Sequence, residues 1–153
     1  MSFSDRPDVE VGIYNENYAQ YFPSYASSGA SGADIKAKLS EPLPIPGRSR
    51  RLVPTGIFLD IPIGYEVQIR PRSGLAFREG VHAILGTIDS DYRGEVKVLL
   101  MNNSDSDFVV ENGMRIAQIV CSKVYVMVWN TLTKEELSQT ERGEGGFGST
   151  GIR

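Results

Sequence analysis

The sequence predicts an all-β fold, a jelly-roll-like barrel or sandwich with one short helix and a flexible, glycine-rich C-terminal arm. Three observations lead there. Turn residues such as Pro42, Pro44, Pro46-Gly47, Pro62, Gly64, Pro71, Gly80, Gly86 and Gly94 recur too closely for long helices. The segments between them alternate apolar and polar residues, the period of a half-buried strand, and many short strands at this spacing suit a barrel or sandwich. From Ser138 to Arg153 almost nothing remains to bury, and glycines accumulate.

Taken in chain order, Tyr14, Tyr18, Tyr21, Phe22 and Tyr25 form an aromatic cluster without interleaved basic residues. Packing under or beside the domain is therefore expected, rather than stacking on nucleic acid. Arg48-Ser-Arg-Arg51 follows a Pro-Gly turn and reads as a solvated hairpin tip. Tyr65, Val67 and Ile69 share one face of a strand against Glu66, Gln68 and Arg70, and Val96, Val98 and Leu100 repeat the pattern. Phe108 to Arg115 signals a hairpin, with Asn112-Gly113 suited to the positive φ angles of a tight turn. Val124-Tyr-Val-Met-Val-Trp129 is rich in β-formers and reads as a strand. The one helix is expected at Thr133-Lys-Glu-Glu-Leu137, where Thr133 and Glu136 have capping-box spacing. Beyond it, fixing each residue costs about 1–2 kcal/mol of backbone entropy, and glycine loses the most freedom. The chain thus divides into a β-barrel domain, 1–137, and an arm, 138–153, ordered only by what it binds.

Composition removes several chemistries. His82 and Cys121 are the only residues of their kinds, so a Cys/His zinc site cannot be built without carboxylates. An intramolecular disulfide is impossible, which fits a reducing cytoplasmic setting, or the nucleus for a eukaryotic or viral source. His82 reads as a structural or loop residue, and Cys121, in the apolar run from Ile116, as a buried and inert thiol. A net charge of −3 argues against a nucleic-acid binder. No apolar run reaches the ~20 residues needed to cross a membrane, and the first residues have no secretory signal pattern.

Four stretches have the residue types of a ligand site. Pro71-Arg-Ser-Gly-Leu-Ala76 offers donors from Arg72 and Ser73, while Gly74 permits close backbone approach; taken alone, a strand-ending turn and a ligand contact have equal weight. Gly86-Thr-Ile-Asp-Ser-Asp-Tyr-Arg-Gly-Glu95 compresses carboxylates, a tyrosine and an arginine between apolar strands, as a polar hairpin tip also would. Arg115-Ile-Ala-Gln118 sets a glutamine in a buried-looking strand. Arg142-Gly-Glu-Gly-Gly-Phe-Gly-Ser-Thr-Gly151 joins a cation, glycines, hydroxyls and one aromatic ring, poor core material but a good lid for a phosphorylated, planar-ringed ligand.

With Ser31-Gly-Ala-Asp-Ile35 upstream, these stretches occur in the order and spacing of five motifs, and the chain resembles the trimeric dUTP pyrophosphatase family over residues 9–151. The resemblance implies a homotrimer with shared active sites, the arm of one chain closing over a site built by the other two. It implies hydrolysis of dUTP to dUMP and pyrophosphate, which lowers dUTP and supplies dUMP for thymidylate synthesis. Asp89 matches the carboxylate that activates water for attack on the α-phosphorus, and Tyr92 the ring that excludes a ribose 2′-hydroxyl. The backbone from Ala83 and Ile84 through Gly86, Thr87 and Ile88 is expected to pair with uracil. Arg72, Ser73, Gly74 and Gln118 match phosphate contacts. Arg142, Ser149 and Thr150 should meet the phosphates, and Phe147, with Gly148 beside it, should cover the base. Asp34 matches a supporting acid, and magnesium (Mg2+) is expected as cofactor, held mainly by substrate phosphates and water rather than by protein ligands. Ala33 replaces the bulkier residue usual in the first motif, which puts local packing in question more than catalysis. A dCTP deaminase or bifunctional deaminase–pyrophosphatase of the same fold is the alternative, and a dUTP-responsive regulatory binding protein is an alternative of another class.

Overall fold

In the computed structural model, which describes residues 8–15 and 18–146, the alternation in sequence becomes strands of three antiparallel sheets. In chain order the first elements are β1 (Gly12–Tyr14), α1 (Tyr18–Tyr21), β2 (Ser24–Tyr25), β3 (Ala33–Lys36), β4 (Leu43–Ile45), β5 (Arg50–Asp60) and β6 (Tyr65–Arg70). There follow α2 (Ser73–Glu79), β7 (Val81–Ala83), β8 (Gly86–Ile88), β9 (Glu95–Asn102), β10 (Phe108–Val110) and β11 (Arg115–Lys123). One sheet has the order β1-β5-β9-β7, a second β2-β3-β11-β6-β8, and the third is the pair β10-β4. The inner faces of the sheets close on one core that includes Ile35, Ile57, Val67, Ile69, Val98, Leu100 and Ile116. Burying each such side chain is worth about 1.5–3 kcal/mol. Along β6 the alternation behaves as predicted: Val67 and Ile69 point inward, while Arg70 donates to Gln68 Oε1 at 2.7 and 3.1 Å on the outer face. Among the described residues, no helix is long and apolar enough to cross a membrane.

The longest pairing, β5 with β9, contains a register shift between Pro54 and Ile57. Gly56 takes a φ of 66° there, and the extra residue bends the strand. The bulge's polar groups are satisfied: Thr55 Oγ1 donates to Val96 O at 2.5 Å and Gly56 N–H to Glu95 Oε1 at 2.8 Å.

Several local expectations are corrected. Asn112-Gly113 does turn, with Gly113 at φ 79°, but Asn112 keeps a negative φ, and β10 and β11 enter different sheets instead of pairing as a hairpin. Residues 124–129 form no strand: they are exposed, and Val124 N–H, donating to Gly64 O at 2.9 Å, is the last ladder-like bond. Thr133–Leu137 makes only a turn. Glu136 reaches back to Thr133 N–H at 2.8 Å, half of a capping box, but the segment has no apolar face against the core to extend it. A helix appears instead at α2, where a strand-ending turn was expected; Gly80, left-handed at φ 66°, closes it by donating to Ala76 O at 3.1 Å. The basic tip is not a β4–β5 hairpin, because β4 pairs with β10, and Arg50 and Arg51 already belong to β5. Of the aromatic cluster only Tyr21 is shown buried, its hydroxyl donating to Asn112 Oδ1 at 2.8 Å; Tyr14, Phe22 and Tyr25 are exposed. Cys121 is exposed as well, not buried. It lines an apolar groove with Val9, Val11 and Ile119, and desolvation there pushes its thiol pKa up. His82 lies in β7 opposite Met101.

Asn102 is fully buried at the end of β9 and ties the third sheet to the first. Its Nδ2 donates to Ile45 O (3.0 Å) and Ser106 O (2.8 Å), and its Oδ1 accepts from Ser104 N (3.0 Å) and Oγ (2.7 Å). Asn102→Ala leaves the carbonyl of buried Ile45 without this donor and frees Ser104 and Ser106, and should lower unfolding free energy by about 1–3 kcal/mol, measured by urea denaturation.

Candidate active site

β8 pairs with β6 in one sheet, whereas β9 pairs with β5 in another, so residues 89–94 must cross between sheets. This stretch is a crossover turn rather than the tip of a hairpin. The preceding segment is likewise no hairpin: β7 pairs with β9, β8 with β6, and Ile84 N–H donates to Leu99 O at 2.8 Å between them. The splaying of β8 and β9 opens a cleft of about 340 Å³ lined by Gly86, Thr87, Ile88, Asp89 and Tyr92, with Glu95 and Lys97 on its far side. Tyr92 N–H closes the turn onto Asp89 O at 3.1 Å, and the Asp89 side chain is exposed. The arrangement offers an exposed carboxylate, an aromatic ring and a strand edge beside one another. Ala83 and Ile84 do not line this cleft, and Ala83 is core.

A second cavity, of about 270 Å³, is lined by Arg72, Arg78 and Arg115 with Leu75, Glu79, Phe108 and Met114. Three guanidinium groups around one space suit a polyanion, for which arginine's fork of donors is well shaped. Arg72 is held from two sides: its Nε meets Asp34 Oδ1 at 3.0 Å and its Nη1 donates to Arg115 O at 3.0 Å. Arg115 Nη1 lies 3.6 Å from the other oxygen of Asp34. Asp34 is the least exposed of the three, at 13% against 28% for Arg72, so it acts as the fixed anchor of the group. Strand register explains the grouping, since Asp34 on β3 faces Gln118 on β11, which faces Arg70 on β6. Gln118 Nε2 donates to Pro71 O at 2.9 Å and so joins the start of α2, where Ser73 and Gly74 are exposed.

The predicted residues thus fall into two groups, Gly86–Asp89 with Tyr92 around the cleft, and Asp34 with Arg72 and Gln118 beside the start of α2; of the second group Arg72 lines the other cavity, which shares no lining residue with the cleft. Arg142 joins neither; its Nε donates to Gly145 O at 2.7 Å within the arm. Phe147, Gly148, Ser149 and Thr150 lie outside the described residues. Sequence reasoning assigned no role to Arg78, Arg115 or Glu95. Only the approach of Arg115 to Asp34, the cavity that Arg78 lines and the cleft that gathers Glu95 single them out.

A model of the dUTPase family matches residues 19–151. The chain belongs to the dUTPase family. The deoxyuridine 5'-triphosphate nucleotidohydrolase of Chlamydia muridarum is 56% identical over 131 residues, spanning 84% of this chain and 90% of that protein. A mutant of the Staphylococcus bacteriophage 80alpha dUTPase with dUpNHpp superposes with a TM-score of 0.83 at 21% identity, covering 94% of this chain and 99% of that one. A mutant dUTPase from phage phi11 of S. aureus, described with a structural Mg(II) ion, gives 0.74 at 16% identity over 84% of this chain and all of that one (100%). These two likenesses confirm the fold, and with it the jelly-roll-like expectation.

Beside Asp34, Gly32 makes room for Gln118. A Cβ on Gly32 would lie 3.1 Å from Gln118 Cδ and 3.2 Å from its Cβ, and closer still to Oε1. Gly32→Ala should therefore swing Gln118 away from Pro71 and cost about 1–3 kcal/mol of stability as an overpacking change. Thermal denaturation and a crystal structure of the variant would test both effects.

Proposed function

We propose that this chain hydrolyses dUTP to dUMP and pyrophosphate, with Asp89 as the group that orients the attacking water. The observation behind the reading is the cleft itself, in which an exposed Asp89 carboxylate stands beside Tyr92 and the free edge of β8. Water attacks the α-phosphorus, the bond to the bridging oxygen breaks, and pyrophosphate leaves. Asp89 holds the water in line and takes its proton, a contribution of typically 10²–10⁴-fold for a positioned base. Backbone groups of Gly86, Thr87 and Ile88, on the edge strand β8, are assigned to the polar edge of uracil. The Tyr92 ring is assigned to the deoxyribose, leaving no space for a 2′-hydroxyl, which is exclusion by shape.

Arg72, fixed by Asp34, together with Ser73, Gly74 and Gln118, is assigned to the phosphates. Because Arg72 lines a cavity that shares no residue with the Asp89 cleft, and Ser73, Gly74 and Gln118 line neither, a complete site is best assembled between copies. We therefore infer a homotrimer with shared sites, a 1–137 barrel and a 138–153 arm that brings Arg142, Phe147, Gly148, Ser149 and Thr150 to a neighbour's substrate. The donor set fits a magnesium ion carried by the triphosphate. In this reading phosphate and water oxygens supply most of its ligands. When bound, the ion neutralises phosphate charge. A cytoplasmic setting belongs to the same reading, in keeping with bacterial relatives such as the C. muridarum protein.

Asp89→Asn should lower kcat for pyrophosphate release by at least about 10²-fold while dUTP still binds, as read by calorimetry. Ammonia released from dCTP by the unaltered protein would overturn the assignment in favour of a deaminase. Truncation after Gln139 should leave a folded oligomer, by light scattering, with activity reduced by orders of magnitude; a fully active truncated protein would remove the arm from the mechanism.

A further inference from the structure

Gly94 follows the proposed sugar-excluding tyrosine by two positions, and its backbone gives no reason for a glycine. It is absent from the glycines with positive φ, a group that includes Gly56, Gly64, Gly80 and Gly113. An alanine would suit that backbone. What forbids a side chain is Tyr92. A Cβ on Gly94 would lie 2.5 Å from Tyr92 Cζ and 2.9 Å from Cε2, and nearer still to the hydroxyl. Carbon atoms pack at about 3.5–4.0 Å, so the ring would have to retreat by roughly 1 Å.

The ring is folded back over Gly94 for a second reason. Tyr92 hydroxyl donates to Glu95 O at 3.0 Å, one residue beyond the glycine. Glu95 is itself fixed, since its side-chain Oε1 accepts from Gly56 N–H at 2.8 Å in the β5 bulge. The turn is tied on its other side by Arg93, whose Nη1 donates to Ser90 O (2.8 Å) and Tyr92 O (3.1 Å) while Nη2 meets Asp60 Oδ1 at 2.6 Å. The Arg93–Asp60 pair is largely exposed and adds little stability.

We propose that Gly94 is a positioning residue for sugar selection: the missing side chain is the seat that, with the Glu95 carbonyl, holds the Tyr92 ring at the depth that rejects a ribose 2′-hydroxyl. The inference rests on the reading of Tyr92 as the sugar filter. A misplacement of about 1 Å in a substrate-positioning group can cost 10²-fold, and here the loss falls on discrimination, because the displaced ring leaves room for the hydroxyl.

The test is kcat/KM for dUTP divided by kcat/KM for UTP, measured on the full-length protein and on Gly94→Ala, Tyr92→Ala and the double variant. Gly94→Ala should lower the ratio by about 10- to 100-fold, mainly by improving use of UTP. In the Tyr92→Ala background the same substitution should change the ratio no further, because the residues act through one ring. An unchanged ratio in Gly94→Ala, or an equal drop in both backgrounds, would overturn the proposal. If Tyr92→Ala itself keeps full discrimination, the parent reading of Tyr92 fails instead. Should Gly94→Ala not fold, Tyr92→Phe decides the matter: it keeps the ring but removes the bond to Glu95 O. A fall in the ratio supports the seat, and an unchanged ratio refutes it.

Discussion

The contact between the Glu95 side chain and the Gly56 amide joins the scaffold of this protein to its candidate site. Gly56 lies at the bulge of β5, where a left-handed residue frees an amide from the ladder. Glu95 begins β9 and accepts that amide, at 2.8 Å, in place of a strand partner. Thr55 seals the same bulge against Val96. An unpaired buried amide costs about as much as a lost hydrogen bond, so the bulge and the first residue of β9 are mutually dependent. The bulge fixes where β9 starts, and hence where the crossover from β8 must arrive.

From that fixed point the site follows. Strand β8 stays with β6, β9 departs with β5, and the gap between them is the cleft that exposes Asp89. The same residue, Glu95, gives its carbonyl to the Tyr92 hydroxyl, so the bulge is felt at the aromatic ring. Asp34 plays the corresponding part on the other sheet. Half-buried and paired with Arg72, it holds one guanidinium and draws Arg115 toward the same space. Removing the anion would leave like charges facing each other, an arrangement suited to a polyanionic ligand but unfavourable without one.

The misread segments share a physical cause. Thr133–Leu137 has a capping-box pattern and makes half of it, yet a nucleated turn propagates only when an apolar face docks, and this one finds no core. Val124–Trp129 has strand composition, but a strand exists only with a partner, and β11 ends at Lys123. In α2 the error runs the other way: Gly74 and Pro71 look like turn residues, while the left-handed Gly80 and the free run between them permit two helical turns. Cys121 sits in an apolar run, yet lies at a groove that the described residues of this chain leave uncovered. Local pattern reports preference, and neighbours decide occupancy.

The sequence by itself determined the β class, the inward faces of β6 and β9, the existence of the Asn112-Gly113 turn and the closeness of Asp89 and Tyr92, three residues apart, that lets both line one cleft. Each is readable because alternation and turn chemistry act over two to four residues, within the reach of a sequence pattern. Only the tertiary structure decided that β8 and β9 part into different sheets, that β10 and β11 do likewise, and that Ala83 belongs to the core rather than the cleft. It also placed the Tyr92 ring where a side chain on Gly94 would meet it, a contact that the dihedral angles of Gly94 do not reveal. Sheet partnership and ring placement depend on contacts between residues far apart in the chain or folded back through space, and no local period encodes them.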